Sequence, residues 1–137
     1  MSFHAYIFFS GNCAEAFERY HAVFGGDLSL MRNGDAPPDA RMPGVDDSVV
    51  MHASLKTGDG LLMGSDDPSG DDGRKVGFTV SYTAPTVSAA NSAFDALAEG
   101  GEVTMPMSET FWAKAFGMCI DRFGVPWMVD VGAAQDD

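Results

Sequence analysis

The chain has 137 residues, of which 45% are hydrophobic and 20% charged, a composition typical of a globular protein and not of a disordered one. Eight Lys and Arg against 20 Asp and Glu give a net charge of −12. This charge argues against nucleic acid and anionic membrane surfaces as partners, because both attract clustered basic side chains. No apolar run approaches the roughly 20 residues of a transmembrane helix.

The two cysteines, Cys13 and Cys119, lie far apart in the chain and form no spacing typical of a zinc ribbon or a disulfide framework. We therefore expect two reduced, mostly buried thiols. The N-terminal segment has neither a basic region nor a small-residue cleavage site, so no secretory signal is predicted. Together these features predict a cytoplasmic protein.

The first half of the chain predicts one strand, one helix and three further strands. Residues 3–9 form a short apolar run with aromatics, which predicts a buried strand. Asn12 followed by Glu15 indicates an N-cap with a capping box, and Gly25-Gly26 ends the helix that follows. The remaining strands are predicted at 28–31, 48–56 and 61–65, with a loop at 33–47 and a tight turn at 57–60.

The second half predicts the same order of elements. After a polar segment at 66–74, we expect a strand at 76–82, a helix from Pro85-Thr86 to Gly100-Gly101, a strand that reaches Met107, and strands at 116–121 and 125–131. The sequence Gly25-Gly26-Asp27-Leu28 has its counterpart 75 residues later in Gly100-Gly101-Glu102-Val103, which indicates an internal repeat. The prediction is one α+β domain, residues 1–137, made of two βαβββ repeats at about 3–65 and 76–131 with a linker at about 66–75.

Several local motifs resemble those of one protein family. The most specific is Thr110-Phe111-Trp112-Ala113, followed by residues 116–118 and 121–128. Together with Met51-His52-Ala53, these motifs resemble PhnB-like proteins, which carry a 3-demethylubiquinone-9 3-methyltransferase-type domain. Such proteins belong to the glyoxalase/bleomycin-resistance/dioxygenase, or vicinal oxygen chelate, superfamily. The resemblance extends from about residue 3 to 131 and implies the glyoxalase-type fold. The methyltransferase label itself implies little about activity here. A methyl-donor site would need a Gly-rich turn after the first strand of a Rossmann-like unit, and the chain has no GxGxG sequence.

In metal-using relatives, the first and last strands of each half supply His or Glu ligands. Here the first-strand position falls on Ala5, beside His4, and the corresponding stretch 77–80 has no His, Asp or Glu. The remaining candidate ligands are Asp130 and either His52 or His4. One or two ligands do not hold a metal ion well. We therefore expect no metal and no cofactor. The alternative is a metal-dependent glyoxalase-like or dioxygenase-like enzyme in which these three side chains recruit the ion.

Candidate site residues come from both halves. His52 lies mid-strand and is able to act as a general base near neutral pH. The segment 109–116 places three aromatics between strands, which predicts a pocket wall that also takes part in a subunit interface. The predicted ligand-binding residues are Tyr6, His52, Met63, Phe111, Trp112, Phe116, Met128 and Asp130, with His52 and Asp130 as catalytic candidates.

The leading functional prediction is a homodimeric PhnB-like protein that binds a small organic molecule in a largely apolar, metal-free pocket. Besides the metal-dependent enzyme, two alternatives remain open. One is a metal-free acid–base enzyme in which His52 and Asp130 act as a pair. The other is ligand sequestration, as in bleomycin-resistance proteins, where the charge of −12 would attract a cationic ligand over long range.

Overall fold

The computed structural model describes residues 2–67 and 73–132, which form two compact units, Met1–Asp72 and Gly73–Asp137. Among the described residues each unit has one α-helix and one four-stranded sheet, and the first unit also has two short 3-10 helices, Asn33–Asp35 and Pro38–Ala40. The predicted α+β class and the two βαβββ repeats are therefore confirmed. The first unit contains β1 (Ala5–Phe9), α1 (Cys13–Phe24), β2 (Asp27–Arg32), β3 (Val50–Thr57) and β4 (Gly60–Asp66). The second contains β5 (Val80–Ala84), α2 (Val87–Ala98), β6 (Glu102–Ser108), β7 (Ala115–Ile120) and β8 (Pro126–Val131).

The two sheets share one topology. The strand order is β1-β4-β3-β2 in the first unit and β5-β8-β7-β6 in the second. The first strand of each unit runs parallel to the last, and the other pairs are antiparallel. The last strand therefore lies between the first and the third, which brings side chains distant in sequence onto one face.

One face of each sheet packs against its helix. In β1 the alternate residues Ile7 and Phe9 are buried, and the ring of Phe9 meets that of Phe17 on α1 at a centroid distance of 6.1 Å. Gly64 on β4 allows this close packing, because a Cβ there would lie 2.8 Å from Cε1 of Phe17. In the second unit Gly117 on β7 plays the same part for Phe94. Glycine is needed on a strand where a helix side chain approaches the backbone.

The first strand of each unit is shorter or later than the sequence predicts. Phe3 lies outside β1 and is exposed, so the predicted start at residue 3 is wrong by two residues. The predicted strand 76–82 is also misplaced, since β5 spans Val80–Ala84. Gly77 has a φ of +88°, and this left-handed backbone is incompatible with an extended strand through that residue.

The predicted capping box of α1 is wrong. The side chain of Asn12 makes no cap hydrogen bond. Instead, Oδ1 of Asp66 accepts hydrogen bonds from the backbone N–H of Gly11 at 3.1 Å and of Cys13 at 2.9 Å, while Oδ2 accepts from Val50 N–H at 3.0 Å. Asp66, assigned to the linker from sequence, is the last residue of β4 and pairs with Phe9, so its carboxylate sits where the chain turns into the helix.

Two predictions about the domain organisation stay open here. The prediction of a single domain over residues 1–137 stays a prediction, and most of the predicted linker, residues 68–72, lies outside the described residues. Within the described part of the chain, no helix is long and apolar enough to cross a membrane.

Candidate functional site

The sheet face opposite α1, here called the first open face, carries three of the predicted site residues. Strand alternation turns Tyr6 away from the buried Ile7 and Phe9, and Tyr6 stays 40% exposed. Met63 pairs with Tyr6 across β1 and β4 and lies beside Gly64, which faces the helix. His52 precedes the buried Ala53 on β3 and therefore also points to this open face.

Tyr6 and His52 contact each other across β4. The Tyr6 hydroxyl lies 3.2 Å from Nδ1 of His52 and shares a hydrogen bond with it, and the two ring centroids are 5.6 Å apart. Phe8 pairs with Ser65, and the register of β3 and β4, continued by one residue pair, places His52 opposite the same Ser65. Ser65 on β4 is small and leaves room for the Tyr6 ring on β1 to reach the His52 imidazole on β3.

Phe8 belongs to this cluster and was missed from the sequence. Its ring centroid is 5.4 Å from that of Tyr6, and 52% of the residue is exposed. The signal was present, because Phe8 lies two residues after Tyr6 on a strand and must share its face. The first open face therefore presents two aromatic rings and one imidazole.

The arrangement of His52 gives it a defined chemistry. The tautomer of the imidazole decides whether Nδ1 accepts from the Tyr6 hydroxyl or donates to it. With Nδ1 engaged in this hydrogen bond, Nε2 is the atom through which His52 would contact a ligand. The partner found for His52 is thus Tyr6. Asp130 belongs to the second unit, and its pairing with His52 stays a prediction.

The second unit has a corresponding open face. Trp127, Val129 and Val131 are buried on the helix side of β8, and the alternating Met128 and Asp130 share the other face, as predicted. Across β7, Met118 pairs with Met128 and Phe116 with Asp130. The second open face therefore combines an apolar surface with a carboxylate.

A tight turn places two aromatic rings beside this face. Thr110 N–H donates to the carbonyl of Ala113 at 3.1 Å, and Ala113 N–H donates to Oγ1 of Thr110 at 3.1 Å. Phe111 and Trp112 lie inside the turn, 88% and 48% exposed. The Phe111 and Trp112 centroids are 4.8 Å apart and those of Trp112 and Phe116 are 5.5 Å apart, both edge to face.

The residues do not fit a metal site of the type that the resemblance implies. Neither first strand, β1 or β5, contains a His, Asp, Glu or Cys. The last strands supply Asp66 and Asp130, and the Asp66 carboxylate already accepts three backbone N–H groups. His4 lies before β1, with Nε2 2.9 Å from Oγ of Ser2. Among residues 2–67 and 73–132, no three His, Cys, Asp or Glu side chains form a group able to hold an ion.

Both thiols are buried, as predicted. Burial, with a smaller contribution from the charge of Asp66, raises the pKa of Cys13 to about 12. Burial and the charge of Asp121 raise the pKa of Cys119 to about 11. The thiolate is the nucleophilic form, so neither residue is suited to nucleophilic catalysis near neutral pH.

A buried carboxylate explains the most specific sequence motif. Oδ1 of Asp121 accepts hydrogen bonds from the backbone N–H of Phe123 at 2.9 Å and of Val125 at 3.0 Å, and Oδ2 accepts from Nε1 of Trp127 at 2.8 Å. Asp121 was not among the predicted site residues. Its contacts hold the β7–β8 turn, so this part of the motif has a structural role.

Known proteins resemble this chain over almost its whole length. The family model described as Glyoxalase/Bleomycin resistance protein/Dioxygenase superfamily matches residues 2–129. Protein YjdN of Escherichia coli (strain K12) is 33% identical over 140 residues, which cover 95% of both chains.

Solved structures are similar over almost the whole chain. Protein PA1353 from Pseudomonas aeruginosa has a TM-score of 0.86 at 41% identity, over 96% of this chain and 98% of that one. The protein described as a putative 3-demethylubiquinone-9 3-methyltransferase, PhnB protein, from Bacillus cereus has a TM-score of 0.76 at 23% identity, over 96% and 100% of the chains. The latter similarity shows a shared fold alone.

Proposed function

The chain belongs to the glyoxalase/bleomycin resistance protein/dioxygenase superfamily, and from this premise we propose that it is a small-molecule-binding protein. The ligand is a small organic molecule, and the site is largely apolar and independent of a metal ion. The proposed ligand-contacting residues lie on the two open faces and in the aromatic turn: Tyr6, His52, Met63, Phe111, Trp112, Phe116, Met128 and Asp130.

The hydrogen-bonded Tyr6–His52 pair is the observation that carries this proposal. Tyr6 and Phe8 expose ring surface that the core does not use. Covering apolar surface is favourable by about 25 cal/mol per Å², so an organic molecule gains free energy by lying on these rings. His52 supplies a polar group at their edge through Nε2. Apolar walls with a few polar groups are typical of small-molecule sites.

Binding of uncharged aromatic fragments tests the proposal. Phenol and indole, titrated into isotope-labelled protein, are expected to shift the backbone signals of Tyr6, Phe8 and His52. Tyr6→Phe keeps the ring and removes the hydroxyl, and His52→Gln removes the imidazole. Each variant should weaken phenol binding by about threefold to tenfold, the value of one hydrogen bond.

His21→Gln is the matched control for the histidine substitution. His21 lies on α1 in the same unit, exposed, with Nε2 3.1 Å from the carbonyl of Gly26. This variant should bind phenol as the unmodified protein does. If no fragment shifts the signals of the first open face, or if the His52 and His21 variants behave alike, the proposal is wrong.

The donor set described above supports the proposal that binding needs no metal ion. The Asp66 carboxylate accepts three backbone N–H groups and is therefore not free to ligate an ion. Asp130 has no second His, Cys, Asp or Glu beside it on β8. Elemental analysis of tag-free protein is expected to find far less than one ion per subunit. A stoichiometric ion, lost in Asp130→Ala, would favour the metal-dependent enzyme instead.

We also propose that the protein is a cytoplasmic homodimer without nucleic-acid or membrane partners. The edge strand β6 supports the dimer, because Val103 and Met105 are exposed along it. An exposed apolar edge strand is prone to pair with another chain, and a second copy of the protein would cover it. Sedimentation at micromolar concentration should give the mass of two chains, and a monomer alone would contradict the dimer.

A further inference from the structure

Three aromatic rings of the second unit lead to one carboxylate. Phe111 contacts Trp112, Trp112 contacts Phe116, and Phe116 lies directly opposite Asp130 on the neighbouring strand. Directly opposed residues of an antiparallel pair have their Cβ atoms about 4.5–5.5 Å apart on the same face. Trp112 therefore contacts the Phe116 ring, and Asp130 lies opposite Phe116 on the same face of the sheet.

The Asp130 carboxylate has no partner in the described part of the chain. Its strand neighbours on the same face are Thr83 and Phe116, and it makes no ion pair or side-chain hydrogen bond with residues 2–67 or 73–132. The residue is partly buried. A partly buried carboxylate beside an aromatic ring is less well hydrated than one on an open surface, so its attraction for a cation is stronger.

Two of the three aromatic rings, those of Phe111 and Trp112, are exposed, whereas Phe116 is only 8% exposed. Both ring pairs meet nearly at right angles, with interplanar angles of 84° and 71°, so neither pair is stacked face to face. The exposed fraction is 88% for Phe111 and 48% for Trp112, so both rings offer surface to a ligand. The face of an aromatic ring carries negative potential and attracts cations, most strongly in tryptophan.

We propose that this cluster, Phe111, Trp112, Phe116 and Asp130, binds the substituted ammonium group of a small organic cation. An alkylated ammonium group is weakly hydrated and has apolar surface, so it fits aromatic rings and a carboxylate better than a small inorganic cation does. The net charge of −12 attracts such a ligand over long range. This inference rests on the proposed function and gives the class of its ligand.

Choline and its uncharged isostere 3,3-dimethylbutan-1-ol form a matched pair of probes. They have nearly the same shape and differ in charge. Binding is followed through the indole N–H signal of Trp112, with the signal of the buried Trp127, which donates to Asp121, as an internal reference. Choline is expected to bind about tenfold or more tightly than the alcohol and to shift the Trp112 signal selectively.

Two substitutions separate the carboxylate from the rings. Asp130→Asn keeps the shape and removes the charge, and Trp112→Leu keeps an apolar side chain and removes the ring. Each should weaken choline binding by about fivefold or more while leaving binding of the alcohol almost unchanged. Because Trp112→Leu removes the indole signal, binding to that variant is followed through the backbone N–H signal of Asp130. Asp95→Asn, on the exposed side of α2, makes the same change in net charge and should leave choline affinity unchanged.

Lys114 gives a variant with the opposite sign. It is the only basic side chain in the segment 109–116 and is exposed. Its positive charge opposes a cationic ligand, so Lys114→Gln should tighten choline binding. Tighter binding cannot result from partial unfolding, so this variant still tests the site if the other variants are unstable.

The outcomes distinguish this inference from the proposed function. Equal binding of choline and the alcohol, or equal effects of Asp130→Asn and Asp95→Asn, would overturn the cation site. If phenol binding at Tyr6 and His52 persisted in that case, the proposed function would stand. If neither choline nor any uncharged fragment bound, both would be wrong. If dimer formation covered Trp112 and excluded choline, the cation site would likewise be overturned.

Discussion

Asp121 lies just after β7, is only 5% exposed, and accepts three hydrogen bonds through its carboxylate. Two come from backbone N–H groups of the following turn and one from Nε1 of Trp127. Asp121→Asn keeps the volume of the side chain and replaces one acceptor oxygen with an N–H donor. The amide oxygen can face either the two backbone N–H donors or the indole N–H. In both cases the new amide NH₂ group then faces an N–H donor instead of an acceptor.

The size of the effect follows from these contacts. With the amide oxygen toward the backbone, the buried indole N–H of Trp127 loses its acceptor, and an unsatisfied buried donor costs about 1–3 kcal/mol. The two remaining hydrogen bonds lose their charge, which weakens each by about half. We expect Asp121→Asn to lower the free energy of unfolding by about 2–4 kcal/mol. At about 4 °C per kcal/mol, Tm should fall by about 8–16 °C.

A double-mutant cycle with Trp127→Phe isolates the hydrogen bond to the indole. Unfolding in urea is followed by far-ultraviolet circular dichroism, because the Trp127 substitution alters fluorescence. Once the indole is gone, Asp121→Asn should cost about 1–2 kcal/mol less than in the unmodified protein. Asp95→Asn, an exposed change of the same kind, is the control and should stay within about 0.5 kcal/mol.

Two results would refute this reasoning. One is an Asp121→Asn variant as stable as the Asp95→Asn control. The other is a cycle with no coupling between Asp121 and Trp127, which would mean that the 2.8 Å contact contributes nothing to stability.

Three other predictions concern the structural contacts. Asp66→Asn should lower the free energy of unfolding by about 2–3 kcal/mol. It should also speed hydrogen exchange at the three backbone N–H groups that donate to this carboxylate, and unchanged exchange would contradict this prediction. Gly64→Ala should cost about 1–3 kcal/mol in thermal or urea unfolding, since the added Cβ would lie 2.8 Å from the Phe17 ring, and a neutral result would show that α1 shifts freely. Folding raises the pKa of Cys13 to about 12 and that of Cys119 to about 11, whereas a thiol of the unfolded chain has its ordinary pKa of 9.0. As pH rises, the unfolded chain therefore loses these protons before the folded one does. The stability that the two thiols contribute is therefore fully present below pH 9 and falls as pH rises toward 11. The free energy of unfolding falls by at most about 1.4 kcal/mol per thiol and pH unit. The Cys13→Ala/Cys119→Ala variant should show a smaller slope in urea unfolding.

Local signals in the sequence predicted the fold well. Helix ends at paired glycines, the strand alternation of Met128 and Asp130 and the repeat of one βαβββ unit all depend on neighbouring residues. The errors came where a local signal competed with a distant one. Asn12 has the right type and position for an N-cap, yet its side chain makes no cap hydrogen bond. Asp66 instead binds the neighbouring backbone N–H groups of Gly11 and Cys13 from the end of β4.

By itself, the sequence determined the α+β class, the repeat and the face on which each strand residue lies, because the period of hydrophobic side chains and the turn glycines act over a few residues. Only the tertiary structure decided which side chains meet. The insertion of β4 between β1 and β3 brings Tyr6 to His52, and the β7–β8 pairing sets Phe116 opposite Asp130. Tyr6 and His52 are 46 residues apart, and no local pattern shows that their strands are brought together by β4. The register of the β7–β8 pair depends on the geometry of its turn, which the buried Asp121 carboxylate holds.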